Sequence, residues 1–84
     1  MMIEVMNLPY YPMSQRAALA SNLGRIFQRF GVVSQVEVFH GHPHGSGRPV
    51  AFIEMPDAEA GWSAIEGLRG SDFCARDLVV IRVL

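Results

Sequence analysis

The sequence predicts a single α+β domain: a four-stranded antiparallel sheet with two helices on one face. Three observations point there. Four short segments alternate apolar with polar residues, two longer ones repeat apolar residues every three or four positions, and the resulting order, β-α-β-β-α-β, occupies all 84 residues. Elements in that order pack most economically by laying both helices on one side of the sheet and leaving the other side to solvent. The result is a ferredoxin-like sandwich spanning residues 1–84, with no room for a second domain.

Each element has its own signal. In the first strand, residues 2–7, β-branched Ile3 and Val5 alternate with Glu4, and Pro9 ends the pairing soon after. Leu19, Leu23, Ile26, Phe27 and Phe30 recur at helical spacing within residues 14–30, with Ser14 placed to cap the helix and Gly31 to end it in a left-handed conformation. Residues 32–39 alternate Val36 and Val38 against Gln35, Glu37 and Phe39, which marks the second strand. The stretch H-G-H-P-H-G-S-G at residues 40–47 is turn chemistry throughout and reads as a hairpin loop. The third strand spans residues 48–55, with Pro49 near its start, where a missing amide donor is tolerated. Asp57 caps a second helix with Ala60, Ala64, Ile65 and Leu68 as its buried stripe and Trp62 on its flank, and residues 78–84 form the fourth strand.

Alternation sorts the strand side chains between two faces. Ile3, Val5, Val36, Val38, Ala51, Ile53, Met55, Leu78 and Val80 point to the helices; Glu4, Glu37, Arg48 and Glu54 point away. With those outward residues come Met6, Phe39, Val50, Phe52, Val79 and Ile81, a contiguous apolar patch that a merely soluble monomer does not need. The open face therefore reads as a binding surface.

Composition limits what that surface can bind. Half of the residues are apolar, 18% are charged and the formal net charge is −1, which argues against a polyelectrolyte clamp on nucleic acid or anionic lipid. All seven basic residues are Arg, which favours planar, bidentate contacts, although genome composition produces the same bias. The single Cys74 rules out an internal disulfide framework and fits a reducing compartment, so the expected location is cytoplasmic, with the nucleus also open. Glu4 interrupts the first apolar residues, against a signal peptide, and no apolar run is long enough to span a bilayer.

Four pieces of the chain resemble the RNA recognition motif family. I-E-V-M-N-L at residues 3–8 resembles the strand-one signature, and R-P-V-A-F-I-E-M at residues 48–55 the strand-three octapeptide. L-x-x-I-F-x-x-F-G at residues 23–31 and A-I-x-G-L-R-G at residues 64–70 resemble the two helix ends. The resemblance implies single-stranded RNA as partner, stacked on aromatics of the open sheet face, and no cofactor. Mapped onto this chain, the strand-one aromatic position holds Glu4 and the first strand-three position Val50; Phe52 keeps the second, and Arg48 keeps the basic residue that meets a phosphate. A base–aromatic stack contributes roughly 1–3 kcal/mol, so two lost positions remove about 2–6 kcal/mol. Phe39 on the same face offers partial compensation, and the candidate RNA contacts are Phe52, Arg48, Val50, Phe39, Met6, Asn7 and Tyr10. Tyr10 and Tyr11 follow the first strand, where the alternative to base contact is burial of both rings against the core edge.

Other classes have less behind them. A protein partner or a second copy of the chain could dock on the same apolar face, because Glu4, Glu37 and Glu54 repel phosphate but are harmless at a protein interface. The family's peptide-binding subgroup carries Arg-x-Phe before strand four; here the triplet is Ser71-Asp72-Phe73. His40, His42 and His44 alternate along the loop, but no thiol or carboxylate is placed to complete a metal site with them. Their protonation would make the net charge positive and favour RNA at lower pH. No nucleophile elbow, P-loop or dinucleotide signature appears, and Cys74 beside Arg76 reads as a packing residue, so an enzyme is not expected.

Overall fold

The computed structural model describes residues 1–40, 48–73 and 76–83. His42, His44, Cys74 and Leu84 lie outside the described residues, and with them most of the histidine-loop expectation. The elements run β1 (Met2–Met6), α1 (Arg16–Gln28), β2 (Gln35–Phe39), β3 (Val50–Glu54), α2 (Ala58–Leu68), β4 (Asp72–Phe73), β5 (Arg76–Asp77) and β6 (Val79–Val83). The main sheet has the order β2-β3-β1-β6 with every neighbouring pair antiparallel, as expected for the ferredoxin-like arrangement.

The core forms where the inner faces of the strands meet the helical stripes. Ile3, Val5, Ala51, Ile53 and Met55 are fully buried, as are Leu19, Leu23 and Phe27 from α1 and Ala64 from α2; Ile65, Leu78 and Val80 are nearly so. Burying one large apolar side chain of this kind contributes about 1.5–3 kcal/mol, so a domain this small depends on each. No polar or charged residue among those described is buried in it. The Asp57 side chain caps α2, accepting from the Glu59 amide at 3.0 Å.

Four local expectations are corrected. Ser14 does not cap α1. A 3-10 turn over Met13–Gln15 precedes the helix, and the Gln15 amide donates to the Pro12 carbonyl at 2.8 Å, so backbone meets the need a cap side chain would have met. Gly31 has φ of 159°, not a left-handed helix end; a Cβ there would sit 2.6 Å from the Ala60 Cβ. The residue is glycine because the chain leaving α1 passes directly against α2. The third strand begins at Val50, since Pro49 offers no amide and Arg48 precedes the ladder. Finally, the connection into the last strand holds the small β4–β5 hairpin, with Asp72 opposite Asp77. The Gly70 amide donates to the Leu78 carbonyl at 3.0 Å and the Leu78 amide to Ser71 at 2.9 Å, leaving Val79 as the first residue of β6.

The contact at Gly31 sets an expected outcome. Gly31→Ala must push α2 away or bend the chain leaving α1, and overpacking of this type costs about 1–3 kcal/mol. Urea denaturation of the variant should show a lower midpoint with an unchanged slope.

Candidate nucleic-acid interface

Antiparallel register arranges the outward residues in rows across the sheet. One row runs Glu37–Phe52–Glu4–Ile81, because Phe52 pairs with Glu37 on β2 and with Glu4 on β1, and Glu4 pairs with Ile81. Beside it, Phe39 pairs with Val50 and Met6 with Val79. On the other flank, Glu54 pairs with Gln35 and Met2, and Met2 with Val83. Directly opposed residues hold their Cβ atoms about 4.5–5.5 Å apart, so the side chains of each row are in mutual reach.

Phe39 and Phe52 form the aromatic part of this face. Their ring centroids are 5.6 Å apart and the ring planes meet at 74°, an edge-to-face pair. Two rings so inclined form a corner, not two parallel platforms; a flat group lying on one presents its edge to the other. Phe39 is 49% exposed and Phe52 half-buried, and Val79 and Ile81 extend the apolar surface to β6 at 41% and 42% exposure. A shallow concavity of about 220 Å³ opens beside Phe52, lined by Met2, Gln35, Glu37, Phe39 and Glu54. It holds one ring-sized group, being smaller than the roughly 300–1,000 Å³ of a drug-sized site.

The other candidate residues fall in different settings. Val50 lies on the open face but is only 8% exposed, opposite Phe39 across the strand pair and two residues before Phe52 on β3, and it stands outside the core cluster. It is therefore a buried wall, not the exposed contact expected from alternation. Met6 is half-buried in its row. Asn7 has φ of 62°, the left-handed region that Asn tolerates better than most residues, and its Nδ2 donates to the Asp77 carbonyl at 2.7 Å. Its side chain thus ties the end of β1 to the β4–β5 hairpin. Arg48 is exposed just before β3.

The two tyrosines divide. Tyr11 packs against the core and its carbonyl receives His40 Nε2 at 2.9 Å, which fixes the loop after β1 to the end of β2. Tyr10 is 70% exposed. Among the described residues, no three metal-binding side chains converge.

Two features of the site lie beyond linear reading. The carboxylates flanking Phe52 become its neighbours only through register, whereas the sequence places Glu4 and Glu37 merely on the same face. Gln35 Nε2 donates to Oε1 of Glu37, and Ser34 Oγ donates to Oε1 of Glu54 at 3.1 Å, so both β2-side carboxylates are oriented. On the helix side, Arg82 lies over Trp62 with its guanidinium carbon 5.7 Å from the ring centroid, a cation–π contact that joins β6 to α2 away from the open face.

Comparison with known proteins settles the family. The model of the RNA recognition motif matches residues 16–79. The chain belongs to the RNA recognition motif family. The crystal structure of RNA binding protein PG1 is similar at 31% identity with a TM-score of 0.80, covering 100% of this chain and 94% of that one. The first two RRM domains of yeast poly(U) binding protein Pub1 match at 17% identity and TM-score 0.79, covering 100% of this chain and 46% of that one. Sex-lethal RNA recognition domains 1 and 2 from Drosophila melanogaster match at 19% and 0.73, covering 94% and 46%. The last two likenesses show the fold alone. A comparison with curated proteins yields no match.

The setting of Asn7 makes a structural role separable from a ligand role. Asn7→Ala loses the bond to Asp77 and adds the left-handed penalty of a residue less tolerant than Asn, about 1–2 kcal/mol together. Thermal unfolding should report that loss, and the Asp77 and Leu78 amides should shift in the free protein.

Proposed function

We propose that this RNA recognition motif domain binds a short stretch of single-stranded RNA across the open face of its sheet. One base stacks on Phe52 with its edge toward Phe39, neighbouring sugars and bases rest on Met6, Val79 and Ile81, and Arg48 meets a phosphate at the margin. The observation that carries this reading is the Phe39–Phe52 corner at the β2–β3 side of an apolar surface that reaches β6. Family membership and the likeness to an RNA binding protein over nearly its whole length support it. Stacking and shape supply most of the affinity, because three glutamates share the face and few cations do.

A second reading is favoured by those same acids. Glu4 and Glu37 flank the central aromatic, where a phosphate would be repelled, and a partner protein or second copy would find an apolar strip with a negative border.

Amide-detected NMR titration with short single-stranded RNA separates the two. Shifts concentrated at Phe52, Phe39 and Val79 are expected, with an affinity that falls only shallowly with salt because few phosphates are neutralised. Phe52→Ala should weaken binding about five- to hundredfold, from the roughly 1–3 kcal/mol of one stack. No shift at millimolar RNA, together with self-association in sedimentation, would replace this reading with the docking one.

A further inference from the structure

The row that holds Phe52 sets acids on both sides of its ring. Phe52 has a carboxylate as direct register partner on each side, Glu37 on β2 and Glu4 on β1, and a third, Glu54, two residues along its own strand on the same face. Glu37 is exposed and Glu4 half-buried. Among the described residues Glu4 makes no hydrogen bond or ion pair, and Glu37 receives Gln35 only at Oε1. The concavity beside the ring is lined by Glu37 and Glu54, and Gln35, which also lines it, directs one of its two amide N–H groups to Glu37. A flat group lying on Phe52 therefore meets a carboxylate acceptor on each side along the row, Glu37 and Glu4.

An ionised carboxylate accepts hydrogen bonds and donates none. Of the groups a base can turn toward it, the exocyclic amine of cytosine and the N1–H and N2 amine of guanine donate, and adenine offers its N6 amine. Uracil offers a single N3–H between two carbonyl oxygens, each facing the carboxylate's negative charge. Single-stranded RNA is read through such edges once bases are unstacked.

We infer that Glu37, with Glu4 on the opposite side, makes the Phe52 subsite selective for bases that present amino groups, and against uracil. This rests on the RNA reading above and assigns to the acids the role of specificity determinants. The residue that replaces the family's strand-one aromatic then trades a stacking platform for an edge contact. The same acids that weaken phosphate binding supply discrimination, since a base, unlike the backbone, is neutral.

Cytosine and uracil are the diagnostic pair: their rings stack over nearly the same area, and they differ in an amine against a carbonyl at position four. NMR or fluorescence titration with hexacytidylate and hexauridylate should give at least fivefold tighter binding of the cytidylate, the lower end of the discrimination a matched base contact provides. In Glu37→Gln, an exposed substitution that should leave the melting temperature unchanged, the amide supplies a donor as well, and the ratio should fall toward one through gain of uridylate binding. Glu4→Gln should act in the same direction. Binding of both oligomers within twofold of each other, or an unchanged ratio in both variants, overturns the inference while leaving RNA binding intact. Failure of every oligomer to bind overturns the RNA reading itself. Larger Phe52 shifts with a hexaarginine peptide than with either oligomer would assign the acid-bordered ring to a cationic protein segment and overturn both.

Discussion

Pairing of β1 with β3 is the constraint on which the rest of the structure depends. Ile3 opposite Ile53 and Val5 opposite Ala51 bury one face of the two central strands against Leu23, Phe27 and Ala64, and the same register sets Glu4 opposite Phe52 on the other face. A slip of β1 by one residue against β3 would turn Glu4 into the core and Ile3 and Val5 out of it, burying a carboxylate among fully apolar neighbours. Stability and the composition of the open face are thus fixed by one choice. The close passage of Gly31 against Ala60, and of Gly67 against the Phe30 ring, then holds the two helices at the spacing that keeps the sheet covered on one side only.

What the open face can do follows from having one aromatic corner in place of a line of rings. Phe39 and Phe52 meet edge to face, Val50 is buried opposite Phe39, and three glutamates border the strip. Such a surface holds a ligand by apolar contact and sorts it by hydrogen-bond polarity. Net charge of −1 is consistent with the proposed division, in which apolar contact and not phosphate neutralisation supplies the affinity. The Arg82–Trp62 contact keeps the indole of the lone tryptophan on the helix side, where it takes no part in the open face.

Much of the fold was legible in the chain because period-two and period-3.6 patterns are nearly free of conflict here. Ile3, Val5, Val38, Ala51, Ile53, Met55, Leu78 and Val80 alternate cleanly and are buried. The Asp57 cap follows from a short acceptor just before an apolar stripe. What escaped linear reading depends on tertiary neighbours. Ser14 looks like a cap until a 3-10 turn takes the Gln15 amide to the Pro12 carbonyl and the Arg16 amide to that of Met13. Gly31 is explained by Ala60, sixty residues into the chain, not by its own helix. Val50 faces outward by alternation and is nonetheless buried, and Asn7 joins the β4–β5 hairpin, which no local pattern announces. Of the site, the apolar strip was visible as a list of outward residues, whereas the Glu37–Phe52–Glu4 row required the register of three strands.

Ultraviolet crosslinking of a short single-stranded RNA to the intact protein, with the modified residue located by mass spectrometry, tests the central claim most directly. Zero-length crosslinks form where a base lies against a ring, and the chain offers rings on both sides: Phe39 and Phe52 on the open face, Trp62 on α2. Crosslinks at Phe52 or Phe39 are the predicted result. Crosslinking at Trp62 with none on the sheet would contradict the account and move the RNA to the helix side.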